Sequence, residues 1–197
     1  MVLFIELVIA FALAFGVNLI PFFGPSNLLI ASTAAIGMTN PDSTSLVIVA
    51  FLIALAAALA KGIHYMITFF VSGHLGEKNR KKLDAEAVKV KRWAFVLLYL
   101  AAATPVPDEP VVIPLGLMKY SPVKFFIPYF LGKITITVAG VFLGSWVESN
   151  FSSLLSPLEM VAISVTLTII ITVIMLKVDV GKYLDLIEKK LKIKKAN

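Results

Sequence analysis

The sequence predicts an all-α polytopic membrane protein built as an inverted repeat, with two opposed re-entrant helical hairpins. Three observations lead there. The 197-residue chain is 59% hydrophobic and 15% charged, with a mean hydropathy of +0.93, which is too little polar surface for a soluble domain of this size. Several apolar windows exceed the roughly 18 residues that mark a membrane span. Two further apolar stretches are broken by clustered prolines, which bar a continuous helix.

Four stretches read as full spans: residues 2–20, 45–73, 123–147 and 158–176. The first lacks a basic flank and a small-residue cleavage site, so it reads as a retained helix and not as a signal peptide. The two broken stretches are PFFGPSNLLIASTAAIGM at 21–38 and the region 93–118, which carries TPVPDEPVVIPLG at 104–116. The expected reversals fall at Pro21, Gly24 and Pro25 in the first, and at Pro105, Pro107 and Pro110 in the second. One membrane domain results: a first repeat over about 21–73, a basic loop at 74–92, a second repeat over about 93–147, a final helix at 158–176 and a basic tail at 177–197.

Positive charge sets the topology. The net charge of +6 is carried by EKNRKKLDAEAVKVKR (77–92) and by the tail. Both flank apolar spans, so the basicity speaks for a membrane surface and against nucleic acid. With 77–92 and the tail in the cytoplasm, counting crossings back from the tail puts 148–157 outside and 119–122 inside. Region 93–118 then begins and ends inside and must enter and return. The same count makes 2–20 a span starting inside and 21–38 a hairpin entering from outside, with both termini cytoplasmic at a plasma membrane. Opposed broken hairpins, each followed by a long helix, form an inverted repeat in the transporter sense.

At these residues the chain resembles the DedA/VTT (SNARE-associated Golgi protein) superfamily. The carriers are the two proline-rich segments, the Gly-x-x-Tyr patch in KGIHYMITFFVSG, and PDEPVVIPLGL followed by a Phe-rich helix with Gly132-Lys133. The resemblance spans about 21–146. It implies re-entrant loops and a role in moving lipids across or between leaflets, or proton-coupled transport. Bacterial members are associated with polyprenyl-phosphate recycling and eukaryotic ones with phospholipid scrambling. The chain departs from that pattern at two places. An acid expected after the first Pro-x-Pro is replaced by Pro25-Ser26-Asn27. An F-x-R-x-x-P-x-x-R pattern around the second proline is replaced by TPVPDEP, which has no arginine.

Sixteen of the eighteen Lys and Arg fall in or beside the expected cytoplasmic segments; the exceptions are Lys61 and Lys133. Lys61 lies about 18 Å in from Gly73 and Lys133 about 15 Å in from Val123, at 1.5 Å per residue. Both are near the middle of a hydrocarbon layer of about 30 Å. A charge there costs about 2.5–3.5 kcal/mol on insertion scales and calls for a partner or a wet cavity. Asp108 and Glu109, at the expected hairpin tip, are the natural partners. His64 and Tyr65 follow Lys61 on one helix face, and Tyr129 precedes Lys133 by four. These seven residues are expected to surround one substrate- or ion-binding cavity. Plainer readings stand beside this one: Lys61 pairs with Asp108 only to fix the hairpin, and His64, Tyr65 and Tyr129 simply pack. Gly140-x-x-x-Gly144 reads as helix packing.

The chain has no cysteine and shows no Walker loop, HExxH, Gly-x-Ser-x-Gly or dinucleotide fingerprint. No enzyme, cofactor or metal is expected. The expected partners are membrane lipids with an anionic headgroup, protons or cations, and further copies of the chain. The leading reading is a lipid translocase, flippase- or scramblase-like. A proton- or sodium-coupled exporter of small cations and a non-transporting scaffold are the alternatives.

Overall fold

The computed structural model describes residues 4–21, 25–38, 41–74 and 76–177. Every regular element among them is helical: α1 (Phe4–Asn18), α2 (Asn27–Ile36), α3 (Ser43–Val71), α4 (Glu77–Ala103), α5 (Glu109–Leu117), α6 (Pro122–Phe151) and α7 (Pro157–Lys177), with one 3-10 turn at Ser72–His74. Two helices, α3 and α6 with 29 and 30 residues, are long and apolar enough to cross a membrane. At 1.5 Å per residue each spans about 45 Å.

Three boundaries differ from the sequence reading. Within the expected span 2–20, the described helix is Phe4–Asn18. Among its described residues, region 21–38 holds one helix, α2. The basic stretch 77–92 is no loop: it is the first half of the unbroken 27-residue helix α4. It contains neither Pro nor Gly and is rich in Lys, Arg, Glu, Leu and Ala, so helix propensity carries it straight into the apolar run 93–103. Gly24 and the tail from residue 178 onward lie outside the described residues.

The breaks have local causes. α4 ends where Pro105 and Pro107 lack amide donors and Thr104, preceding a proline, is extended. α5 then starts with Glu109 and Pro110 in its first turn, the one place where a missing N–H is harmless. Ser26 caps α2 by accepting from the Leu29 amide at 3.3 Å. Asp42 caps α3 by accepting from the Ser45 amide at 3.3 Å. The Ser45 hydroxyl also donates to Asp42 and holds its carboxyl below the usual value.

α6 is the hub, packed against α2, α4 and α3, while α1 and α5 both lie on α3. Small residues permit the closeness. A Cβ on Gly140 would sit 2.8 Å from the Leu28 carbonyl and 2.7 Å from Ala31 Cβ, and one on Gly144 would run into the Ser32 backbone. A Cβ on Gly132 would lie 2.5 Å from the Tyr99 carbonyl, and one on Gly116 would strike Thr68. Without a hydrophobic drive between helices in lipid, such backbone-to-backbone fits are what hold them together. The Gly140/Gly144 pattern is therefore a packing seam, between α6 and α2.

The directions of the short helices follow from their contacts. Leu7, Phe11 and Ala14 pack in one cluster with Leu46, Val49 and Ile53 of α3. The Leu19 carbonyl lies 3.0 Å from His64 Nε2. So α1 runs alongside α3 in the same direction, and its end is level with residue 64. α5 also parallels α3, with Glu109 at Lys61 and Gly116 at Thr68.

Candidate substrate site

The site forms where the break between α1 and α2 meets the break between α4 and α5. Lys61 of α3 donates to the Glu109 carboxylate, and its Nζ lies 3.3 Å from Asp108 Oδ1. Lys133 of α6 donates to Asp108 Oδ2 at 2.8 Å. The Tyr129 hydroxyl donates to that same oxygen. Lys133 Nζ also stands 5.1 Å from the centre of the Tyr129 ring, one helical turn away, within cation–π range.

All four charged groups are 3–5% exposed. Left alone, each would be expensive at this depth. Together they carry two positive and two negative charges, so the group is neutral and internally paired. Asp108 occupies the N-cap position of α5 yet makes no side-chain cap bond; both of its oxygens are taken by groups on α3 and α6. The acids nonetheless stand at a helix N-terminus, where the macrodipole favours negative charge. The tip of the α4–α5 break is thereby tied to two long helices at once.

The cluster opens onto a cavity of about 300 Å³. Lys61, Lys133, Asp108 and Glu109 form one wall, together with the backbone turn Thr104–Pro107. Asn18, Pro25, Ser26 and Asn27 form the facing wall. α7 closes the side with Val165, Thr168, Ile169 and Val173. The cavity is thus charged on one side, amide- and hydroxyl-lined on another and largely apolar on the third.

Of the seven expected residues, the two acids and two lysines line this cavity, and Tyr129 bonds Asp108 from behind. His64 and Tyr65 do not line it. His64 faces the Leu19 carbonyl and leaves Nδ1 buried without a partner. Tyr65 is turned into the core, stacked on Phe125 with ring centres 4.2 Å apart and donating to the Tyr120 carbonyl. The plain packing reading holds for its place in the fold. Position along α3 explains the difference: His64 and Tyr65 share Lys61's face but lie about one turn beyond it, level with Leu19 and with Phe125 and Tyr120. Pro25, Pro105 and Pro107 line the cavity; Pro110 sits in the first turn of α5 and Pro21 in the turn after α1.

The facing wall was not anticipated. Asn18 and Asn27 are both buried and exchange amide hydrogen bonds at 3.0 and 3.1 Å, and Asn18 also donates to the Ala14 carbonyl at 2.8 Å. A signal was present: Asn18 is a lone amide at the end of a helix that is apolar apart from Glu6 in its first turn, and such polar groups in lipid require partners.

A bundle of apolar helices, two of them long enough to span, around a buried neutral charge cluster defines a helical integral membrane protein. Residues 24–146 match the VTT domain. The chain belongs to the DedA/VTT family of membrane proteins. Searches of the curated proteins and of the solved structures returned no match.

Proposed function

We propose that this protein is a lipid translocase that passes the headgroup of a phospholipid or polyprenyl phosphate through the cavity between its two helix breaks. The observation that carries this reading is the cavity's make-up. Lys61 and Lys133 offer donors to a phosphate, and the α7 wall of Val165, Ile169 and Val173 offers an apolar track for the attached chain. A polar centre beside an apolar wall suits an amphiphile.

The membrane arrangement follows from the same contacts. α1 and α2 form one hairpin, reversing between Asn18 and Asn27; the second half of α4 and α5 form the other, reversing at Thr104–Asp108. Their tips meet near Lys61, and each hairpin is followed by a long helix, α3 or α6. This supports the inverted repeat with re-entrant hairpins, with a changed start: α1 is an arm of the first hairpin. Non-helical backbone at that depth is tolerated because it lines a cavity. With the basic half of α4 facing the cytoplasm, residues 4 and 41 share the opposite face. On this reading the first helix starts on the external face, where the sequence alone leads one to expect the cytoplasmic one.

The cation-exporter reading draws less support, because both carboxylates are engaged by lysines. Purified protein in liposomes separates the alternatives. The translocase reading expects a fluorescent phospholipid to move between leaflets faster than in empty vesicles, with no cation flux driven by a pH gradient. Cation flux without lipid movement would replace it with the exporter, and neither activity would leave a scaffold.

A further inference from the structure

Resting on the lipid-translocase reading, the site's own charge arithmetic goes further and bears on which headgroups it accepts. The described charged side chains at the cavity are Lys61, Lys133, Asp108 and Glu109, which sum to zero. Each lysine is engaged by a carboxylate, and Asp108 binds both lysines at once. The other polar groups on the cavity wall among the described residues are uncharged: Asn18, Ser26 and Asn27 from the first hairpin, Thr104 from the second, and Thr168 from α7. Among the described residues the site holds no surplus positive charge for an anion.

A phosphate entering this site must take donors from Lys61 or Lys133. The lysines then share their donors between the phosphate and the carboxylates, and the group carries one uncompensated negative charge in surroundings of low dielectric, where such a charge is costly. A zwitterionic headgroup avoids the difficulty, because its phosphate meets the lysines while its own ammonium takes their place at the carboxylates. An anionic headgroup can do the same only if a proton neutralises one of the acids. We propose that the site admits a headgroup only as an electrically neutral load: a zwitterionic lipid by itself, or an anionic lipid together with one proton on Asp108 or Glu109. The proton comes from the water on the side of entry and leaves with the headgroup when the lysine–carboxylate pairs re-form.

Lys61 from α3 and Lys133 and Tyr129 from α6 face the two acids. His64, one turn from Lys61, faces the Leu19 carbonyl instead.

The test uses the full-length protein in phosphatidylcholine vesicles carrying a trace of acyl-labelled phosphatidylcholine or acyl-labelled phosphatidylglycerol. Flipping is read as accessibility of the label to a membrane-impermeant quencher between about pH 5 and pH 8. Phosphatidylcholine should flip at a rate that is flat with pH. Phosphatidylglycerol should slow by about tenfold per unit rise in pH, the slope of one bound proton. Glu109→Gln leaves the group with one net positive charge and Lys61 still beside Asp108; it should make phosphatidylglycerol flipping fast and flat with pH, and raise its rate relative to phosphatidylcholine at pH 8. Equal, pH-independent flipping of both lipids by the unaltered protein overturns the proposal, and so does a Glu109→Gln variant that keeps the phosphatidylglycerol slope. Failure to flip either lipid overturns the translocase reading itself.

Discussion

Lys133 Nζ and Asp108 Oδ2, 25 residues apart in the chain, lie 2.8 Å from each other. That contact ties the turn between α4 and α5 to the central helix α6. Lys61 ties the same turn to α3 through Glu109 and Asp108. Two lysines on two different helices thus hold a proline-broken turn in place, and the same four groups line the cavity.

The pairing predicts how charge removal behaves. Lys61→Met leaves Glu109 without its lysine and should cost about 3–5 kcal/mol. Lys61→Met combined with Glu109→Gln keeps the Asp108–Lys133 pair and should regain most of that loss. Lys133→Met with Asp108→Asn should do likewise through Lys61 and Glu109. Thermal unfolding in detergent gives the stability, and lipid flipping gives the function. The double variants should be stable yet slow for phosphate-bearing lipid. Full recovery of flipping as well would reduce the lysines to structural counter-ions.

Topology can be read with single cysteines, since the chain has none of its own. Arg92, Lys119, Asn150, Asp42 and Phe4 are all exposed. Cysteines at 92 and 119 should react with an impermeant thiol reagent from the same face. Those at 4, 42 and 150 should react from the other. Labelling of 92 and 119 from opposite faces would remove the second hairpin, and labelling of 4 and 42 from opposite faces would remove the first.

The glycine seams make a steric prediction. Gly144→Leu would drive a side chain into the Ser32 backbone, where rigid main chain cannot yield. A loss of about 1–3 kcal/mol is expected, as for overpacking generally. Gly16 has open space around it, so Gly16→Ala should change stability by no more than about 0.5 kcal/mol. Comparable unfolding temperatures for the two variants would mean that α2 and α6 are not held by this contact.

Asn18 and Asn27 should behave as a unit. Asn18→Leu leaves the buried Asn27 amide short of a partner and should cost about 1–3 kcal/mol. Replacing both by Leu removes the unsatisfied group and should recover part of that loss. A double-mutant cycle with no coupling would show that the amide pair does not join the arms of the first hairpin.

Much of this protein was legible without coordinates, for physical reasons that act locally. A run such as residues 45–71 has no stable place outside lipid, so composition alone announces a membrane helix. Pro105 and Pro107 lack the amide donors that a continuing helix needs, so the break before α5 was visible too. Lys61 and Lys133 stood out because isolated charge at mid-depth is costly, and Asp108 and Glu109 were the acids able to answer them.

Tertiary structure decided the rest. Where the apolar run of α1 sits in the fold depended on what its end meets, Asn27 and His64. Nothing in an apolar run records that. The separation of Lys61 from Tyr65 depended on where α5 and α6 touch α3, because position along a helix becomes burial only once the neighbours are in place. The wall formed by Asn18, Ser26, Asn27 and α7 came from folding the two breaks against each other, joining residues as far apart as 18 and 173. Hydropathy and proline act within a few residues of chain. The cavity exists only through contacts between helices, made possible where Gly132, Gly140 and Gly144 let their backbones meet.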